Sequence, residues 1–132
     1  MPTLTISQLA ASAQVGVETV RFYQRRKLLR APDATEKARG IRHYDRRDVD
    51  RLQFIRSAKL AGFTLAEIGE LLTLDAGSDR ARARVMAAER IADIDRQIAA
   101  LTRARASLAR LANECARDEA GPCPIIASFQ QG

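Results

Sequence analysis

The chain has 132 residues, a formal net charge of +6, no Trp and only six Phe and Tyr. That length admits one domain, or a small domain with an appendage. The few aromatics argue against a large aromatic-lined pocket, and no stretch approaches the roughly 18 apolar residues of a membrane span. The charge is uneven. Residues 1–74 carry 13 Lys+Arg and 8 Asp+Glu, giving +5, whereas residues 75–132 carry 9 and 8, giving +1. A polyanion partner is therefore expected on the first half. The N-terminus lacks the charged and apolar regions of a signal peptide, so the expected location is cytoplasmic, with no membrane partner. In that compartment Cys115 and Cys123 read as metal-binding or redox-active before they read as a structural staple.

Ile6, Leu9 and Ala10 recur at helical spacing over residues 6–13, and Thr5 or Ser7 can cap that helix. Gln14-Val15-Gly16 makes a turn, with Gly16 available for a positive φ. Residues 17–24 (VETVRFYQ) then form a second helix. Thr19, Arg21 and Tyr23 supply donors, and Val20 and Phe22 supply packing. Two short helices around such a turn form a helix-turn-helix, whose second helix enters the DNA major groove. A plain helical hairpin in an all-α core has the same pattern. Arg25-Arg26-Lys27 follows where phosphates would lie, although a basic run is usually just a solvated face. Leu28 and Leu29 return to the core. Residues 32–40 form a polar loop, and Ile41-Arg42-His43-Tyr44 is a short extended piece. Together they read as a wing that grips the DNA backbone. His43, the sole histidine, lacks a nearby Cys or carboxylate cluster and reads as a backbone contact or surface residue.

A third helix is expected from about residue 46 to 61, with Asp45 as N-cap. Its apolar stripe is Val49, Leu52, Ile55 and Leu60; Arg51, Arg56 and Lys59 face elsewhere. Gly62-Phe63 ends it. Thr64 caps a fourth helix over residues 65–74, with Glu67 completing a capping box, and residues 75–79 form a break. Residues 80–114 contain neither Pro nor Gly, which is about 50 Å of helix at about 1.5 Å per residue. Ile91, Ile98 and Ala112 share one heptad position, which Arg105 interrupts. Ile94, Leu101, Leu108 and Cys115 share the other. A narrow stripe of this period is a coiled-coil seam, so the chain is expected to be a homodimer. Cys115 and Cys123 then bracket a loop containing Gly121 and Pro122, followed by an apolar turn at Ile125, Ile126 and Phe129.

The strings TISQLA, VETVRFYQ, GIRHY, RSAKLAGFTLAEIGELLTL and CPIIASFQ resemble the metal-responsive branch of the MerR family of transcription regulators over nearly the whole chain. The resemblance implies an all-α fold with a small wing. Residues 1–75 form a winged helix-turn-helix head, 80–114 a long antiparallel dimerisation helix, and 115–132 an effector loop and tail. It implies groove and phosphate contacts from Thr19, Arg21 and Tyr23, wing contacts from Arg42, His43 and Tyr44, and further phosphate contacts from Arg56 and Lys59. Family members untwist an over-long promoter spacer on inducer binding so that RNA polymerase can engage it.

The effector loop departs from the pattern. The head and the short link at residues 75–79 look like the mercury and lead sensors, whereas the spacing of Cys115 and Cys123 resembles the copper, silver and gold sensors. Where the mercury and lead sensors place a third Cys, and the monovalent sensors a Ser, this chain has Arg80. Two thiolates suit a soft ion, Cu(I)-like or Hg(II), better than Zn(II). Lys27 stands where the family usually has Gly, which implies a strained turn. The expected function is a dimeric regulator that senses such an ion through Cys115 and Cys123. The alternatives are a thiol redox sensor and a constitutive DNA-binding protein. An enzyme is not expected: there is no phosphate loop, no paired catalytic carboxylates and no Cys–His arrangement.

Overall fold

Three of the helix starts follow directly from local chemistry. Thr5 begins helix α1 (Ile6–Ser12) with a capping box, its hydroxyl accepting from Gln8 N–H while Gln8 returns the bond. Asp45 does the same with Asp48 at the start of α3 (Arg46–Leu60), and Thr64 with Glu67 at the start of α4 (Leu65–Gly77). Each box satisfies two backbone donors that the first helical turn leaves open. The second helix, α2 (Val17–Arg25), starts at Gly16 without a side-chain cap. The computed structural model describes residues 3–32, 43–117 and 120–130. Arg42 and most of the expected wing loop lie outside the described residues.

Two units divide the chain, Met1–Ala83 and Arg84–Gly132. In the first, α1 packs on α2 and α3, and α3 packs on α4. Their common core includes Leu9, Val20, Leu28, Leu29, Leu52, Ile55 and Ile68. The only β feature among the described residues is an antiparallel bridge between Leu4 and Tyr44, which ties the N-terminal segment to the end of the expected wing. α5 (Arg80–Arg117) starts in the first unit, where Asp79 accepts from Arg82 N–H, and it makes up most of the second. There α6 (Pro124–Gln130) follows the cysteine loop.

The helix ends depart from expectation. Gly16 has φ −82° and serves as N-cap; the left-handed residue of the α1–α2 turn is Gln14, at φ 58°. Val15 N–H reaches Ala10 O and Gln14 N–H reaches Ala11 O, which is a Schellman closure with Gln14 at the C′ position. The same pair of bonds recurs at Lys27, Gly62 and Ser78. The closure, not the glycine, therefore selects the left-handed residue, and only one of these four positions carries Gly. α4 also runs past Leu74 to Gly77, so the expected break shrinks to Ser78 and Asp79. In α3, Leu60 is 74% exposed and leaves the apolar stripe. Ala58, one turn beyond Ile55, holds the core face, because a step of three or four residues keeps a side chain on one face and a step of five does not.

Lys27, at φ 61°, carries the backbone cost of a β-carbon in the left-handed region. Lys27→Gly is expected to raise stability by about 1 kcal/mol. Thermal or urea unfolding of the two chains checks it, and an equal or lower midpoint for the glycine variant would contradict it.

Candidate nucleic-acid interface and thiol pair

α2 divides its residues between core and surface. Val20 and Tyr23 are buried, whereas Glu18, Arg21 and Arg25 are exposed and Thr19 is half-buried. Tyr23 was expected to face outward with Arg21; instead its ring joins the core and leaves little surface to offer a partner. Phe22 is the half-buried ring, with Arg26 5.2 Å and Arg25 6.0 Å from its centroid. The ring face attracts the guanidinium groups, so two cations of the basic run are gathered at the end of α2.

Arg21 pairs with Glu18 across one helical turn at 2.8 Å. Both side chains are largely solvated, so the pair contributes little stability and Arg21 can exchange Glu18 for a phosphate or base at small cost. On α3, Arg56 is half-buried and Lys59 exposed, three residues apart on one face. Arg21→Ala is expected to weaken specific DNA binding by about 1–3 kcal/mol if Arg21 reads a base. Unchanged affinity and salt dependence in a fluorescence-anisotropy titration would remove it from the interface.

The wing root is held from within. His43 is half-buried and its carbonyl accepts from the Arg30 guanidinium. Tyr44, expected as a wing contact, is only 3% exposed, and its hydroxyl accepts from Gln24 Nε2 at 2.8 Å. Arg30 also pairs with the buried Asp48 at 2.8 Å. Gln24, Arg30 and Asp48 were not anticipated as site residues. Their link to the wing is a tertiary contact, and no local spacing signals it. Arg51 is likewise structural, its Nε donating to Leu28 O at 2.7 Å. Next to this cluster, Asp45 has its carboxyl held below the usual range, chiefly by the Arg47 side chain and then by backbone N–H bonds. Its contribution to stability is full above the ordinary Asp pKa and fades as pH falls through the lowered folded value.

In the second unit, Cys115 near the end of α5 and Cys123 just before α6 bring their Sγ atoms to 3.7 Å. Both are free thiols and half-buried. The loop between them turns at Gly121, whose φ of +93° suits a residue without a β-carbon. Backbone N–H groups of Ile126 and Ile125 point at Cys123 Sγ and lower its pKa, with the Cys115 thiol adding to the effect. Cys115 moves the other way, because the neighbouring Cys123 takes its hydrogen bond and repels a second negative charge. The pair therefore loses its first proton mainly from Cys123 and its second at a pH above the ordinary thiol value. Iodoacetamide at neutral pH is expected to label Cys123 first, since the thiolate is the nucleophile. Peptide mass mapping at partial modification checks the order, and preferential labelling of Cys115 would contradict it. No group of three His, Cys, Asp or Glu among the described residues is arranged to hold a metal ion.

The description of the MerR HTH family regulatory protein matches residues 4–74, and that of the MerR DNA-binding region matches residues 49–111. The chain belongs to the MerR family.

Among MerR-family relatives, it is 43% identical to the mercuric resistance operon regulatory protein of Shigella flexneri, over 98% of this chain and 90% of that protein. It is 37% identical to the HTH-type transcriptional regulator CueR of Yersinia pestis, over 96% and 91% of the two chains. The crystal structure of the transcription regulator PbrR691 from Ralstonia metallidurans CH34, in complex with lead(II), superposes with a TM-score of 0.70 at 30% identity, covering 96% of this chain and 98% of that one. This MerR-family chain is thus a DNA-binding transcription regulator and not an enzyme. Its described residues include no helix long and apolar enough to cross a membrane.

Proposed function

We propose that this MerR-family regulator acts as a homodimer on promoter DNA and responds to a soft thiophilic ion held by Cys115 and Cys123. The observation that carries the reading is the pair of free thiols 3.7 Å apart, one of them facing backbone N–H donors at the start of α6. Two sulfurs at that separation lie within reach of one ion with metal–sulfur bonds of about 2.3 Å. The N–H groups favour the thiolate that such an ion requires. Relatives named for mercuric resistance, and a structural neighbour in complex with lead(II), support a soft ion as inducer. The donor set favours a Cu(I)-like ion or Hg(II).

In this reading residues 1–75 hold the DNA, 80–114 dimerise, and 115–132 sense. Thr19 and Arg21 on α2, with Arg56 and Lys59 on α3, are the direct DNA contacts. His43 and Arg42 of the expected wing add to them. Two copies meet in an antiparallel seam, which brings Arg80 of the partner subunit toward the cysteine loop. Its charge offsets that of a bis-thiolate and disfavours a divalent ion relative to a monovalent one. Inducer binding tips the deformation of an over-long promoter spacer, so that RNA polymerase engages both promoter elements.

The test is to titrate the reduced protein anaerobically with Cu(I), Ag(I), Hg(II), Pb(II) and Zn(II), measuring ion binding and promoter-dependent transcription. One soft ion bound per cysteine loop with activation is expected; stoichiometric Zn(II) with activation, or no response to any ion, would reject the sensor. A second reading, a thiol redox switch, is favoured by the same proximity of two free thiols. Exchange of one thiolate onto an oxidised partner would close a disulfide, and activation by oxidant without ion would select it.

A further inference from the structure

Gln24 sits at the end of α2, where a glutamine is a natural reader of adenine through its amide. Its amide is otherwise engaged. Nε2 donates to Tyr44 Oη at 2.8 Å and to Arg30 O at 3.2 Å, which uses both of its N–H groups. Tyr44 is fixed from its other side as well: its backbone N–H and C=O both bond to Leu4, at 3.2 and 2.6 Å. Arg30 lies with its guanidinium 5.6 Å from the centre of the Tyr44 ring. It donates to the His43 carbonyl and to both oxygens of Asp48, whose carboxylate also accepts from Asp45 N–H at 2.9 Å. The N-terminal segment, the end of α2, the wing root and the start of α3 thus converge on one connected set of polar groups, in which Tyr44 and Asp48 are buried, Gln24 is half-buried and Arg30 is exposed.

We infer that Gln24, Arg30, Tyr44 and Asp48 form a positioning frame that sets the wing root against α2, so that operator recognition depends on residues that do not touch DNA. The frame commits the Gln24 amide to the Tyr44 hydroxyl and pairs the exposed Arg30 with Asp48. A groove helix and a wing grip adjacent parts of the duplex, and both must be in register for their contacts to form together. A hydrogen bond between the two elements holds that register before DNA arrives, which lowers the ordering cost of binding.

The inference rests on α2 and the wing root being the DNA face, and sequence selection from random duplexes by the wild-type protein tests that assignment separately. On the selected duplex, affinities are measured for Gln24→Met, Tyr44→Phe and the double variant, with base preferences read at every position. Tyr44→Phe keeps the ring and its packing, and thermal unfolding confirms that each variant is folded at the assay temperature. Each single variant is expected to bind the selected duplex roughly three- to tenfold more weakly, the size of one net hydrogen bond. The double variant is expected to be no weaker than the worse single one, since both remove the same bond. Base preferences should stay those of the wild type. Additive losses would show two independent DNA contacts and overturn the frame. Relaxed preference at one base pair in Gln24→Met would show that Gln24 reads a base, and unchanged affinity in both single variants would show that the bond sets nothing; either result also overturns it.

Discussion

Replacing Ile98 and Leu101 together with aspartate should convert the protein to monomers. Both residues belong to the heptad stripe of α5, and both are exposed in the single chain, Ile98 at 57% and Leu101 at 70%. Ile91 and Leu108 on the same stripe are exposed as well. Four large aliphatic side chains in line on one helix are the pattern of a seam awaiting a second copy. Burying a side chain of this size contributes about 1.5–3 kcal/mol, and an aspartate in its place would bury an unpaired charge. Two such changes per chain should raise the dimer dissociation constant by at least about a thousandfold, at about 1.4 kcal/mol per factor of ten. Neither residue belongs to the core cluster of the first unit, so the head should remain folded. Sedimentation velocity at micromolar concentration reads the outcome, and a double variant that still sediments as a dimer would defeat the seam.

The second large effect is expected at the thiol pair. Cys115→Ser and Cys123→Ser should each abolish tight binding of the soft ion and the transcriptional response, while operator binding persists. The serine hydroxyl is a hard, protonated donor, and a soft ion loses half of its donor set with either change. Cys123→Ser is the more informative variant. Serine is a favoured N-cap residue, so α6 keeps its start, including the Ala127 N–H bond to the carbonyl at position 123. The variant therefore removes the thiolate without removing the helix. A full response in both variants would end the two-thiolate sensor and the thiol redox switch together, since each needs both sulfurs.

Much of the fold was legible in the chain. Thr5, Asp45 and Thr64 announce three helix starts because a capping side chain bonds to a donor only two or three residues away, and such geometry travels with the local sequence. The burial of Leu9, Leu52 and Ile55 followed from helical spacing for the same reason. The pairing of Cys115 and Cys123 across a Gly-Pro turn is equally short-range. The unanticipated left-handed residues, Gln14 and Ser78, arose because helix-closing bonds select a position regardless of its side chain.

What only the tertiary structure decided is which polar groups face inward. The alternation along α2 suggested Tyr23 as a donor and Phe22 as packing, yet Tyr23 is the buried ring and Phe22 the platform beneath two arginines. Tyr44 looked like a wing contact until its hydroxyl was found bonded to Gln24, twenty residues earlier. Arg30 and Asp48 carry no signal in their own neighbourhoods, because they lie eighteen residues apart and meet only when the chain has folded. The sequence by itself determined the helices, the exposed apolar stripe of α5 and the cysteine loop, since each rests on periodicity or on bonds spanning a few residues. The division between groups that can reach DNA and groups that only hold the frame was set by packing, since one side chain has a single set of hydrogen bonds and the folded chain decides where they are used.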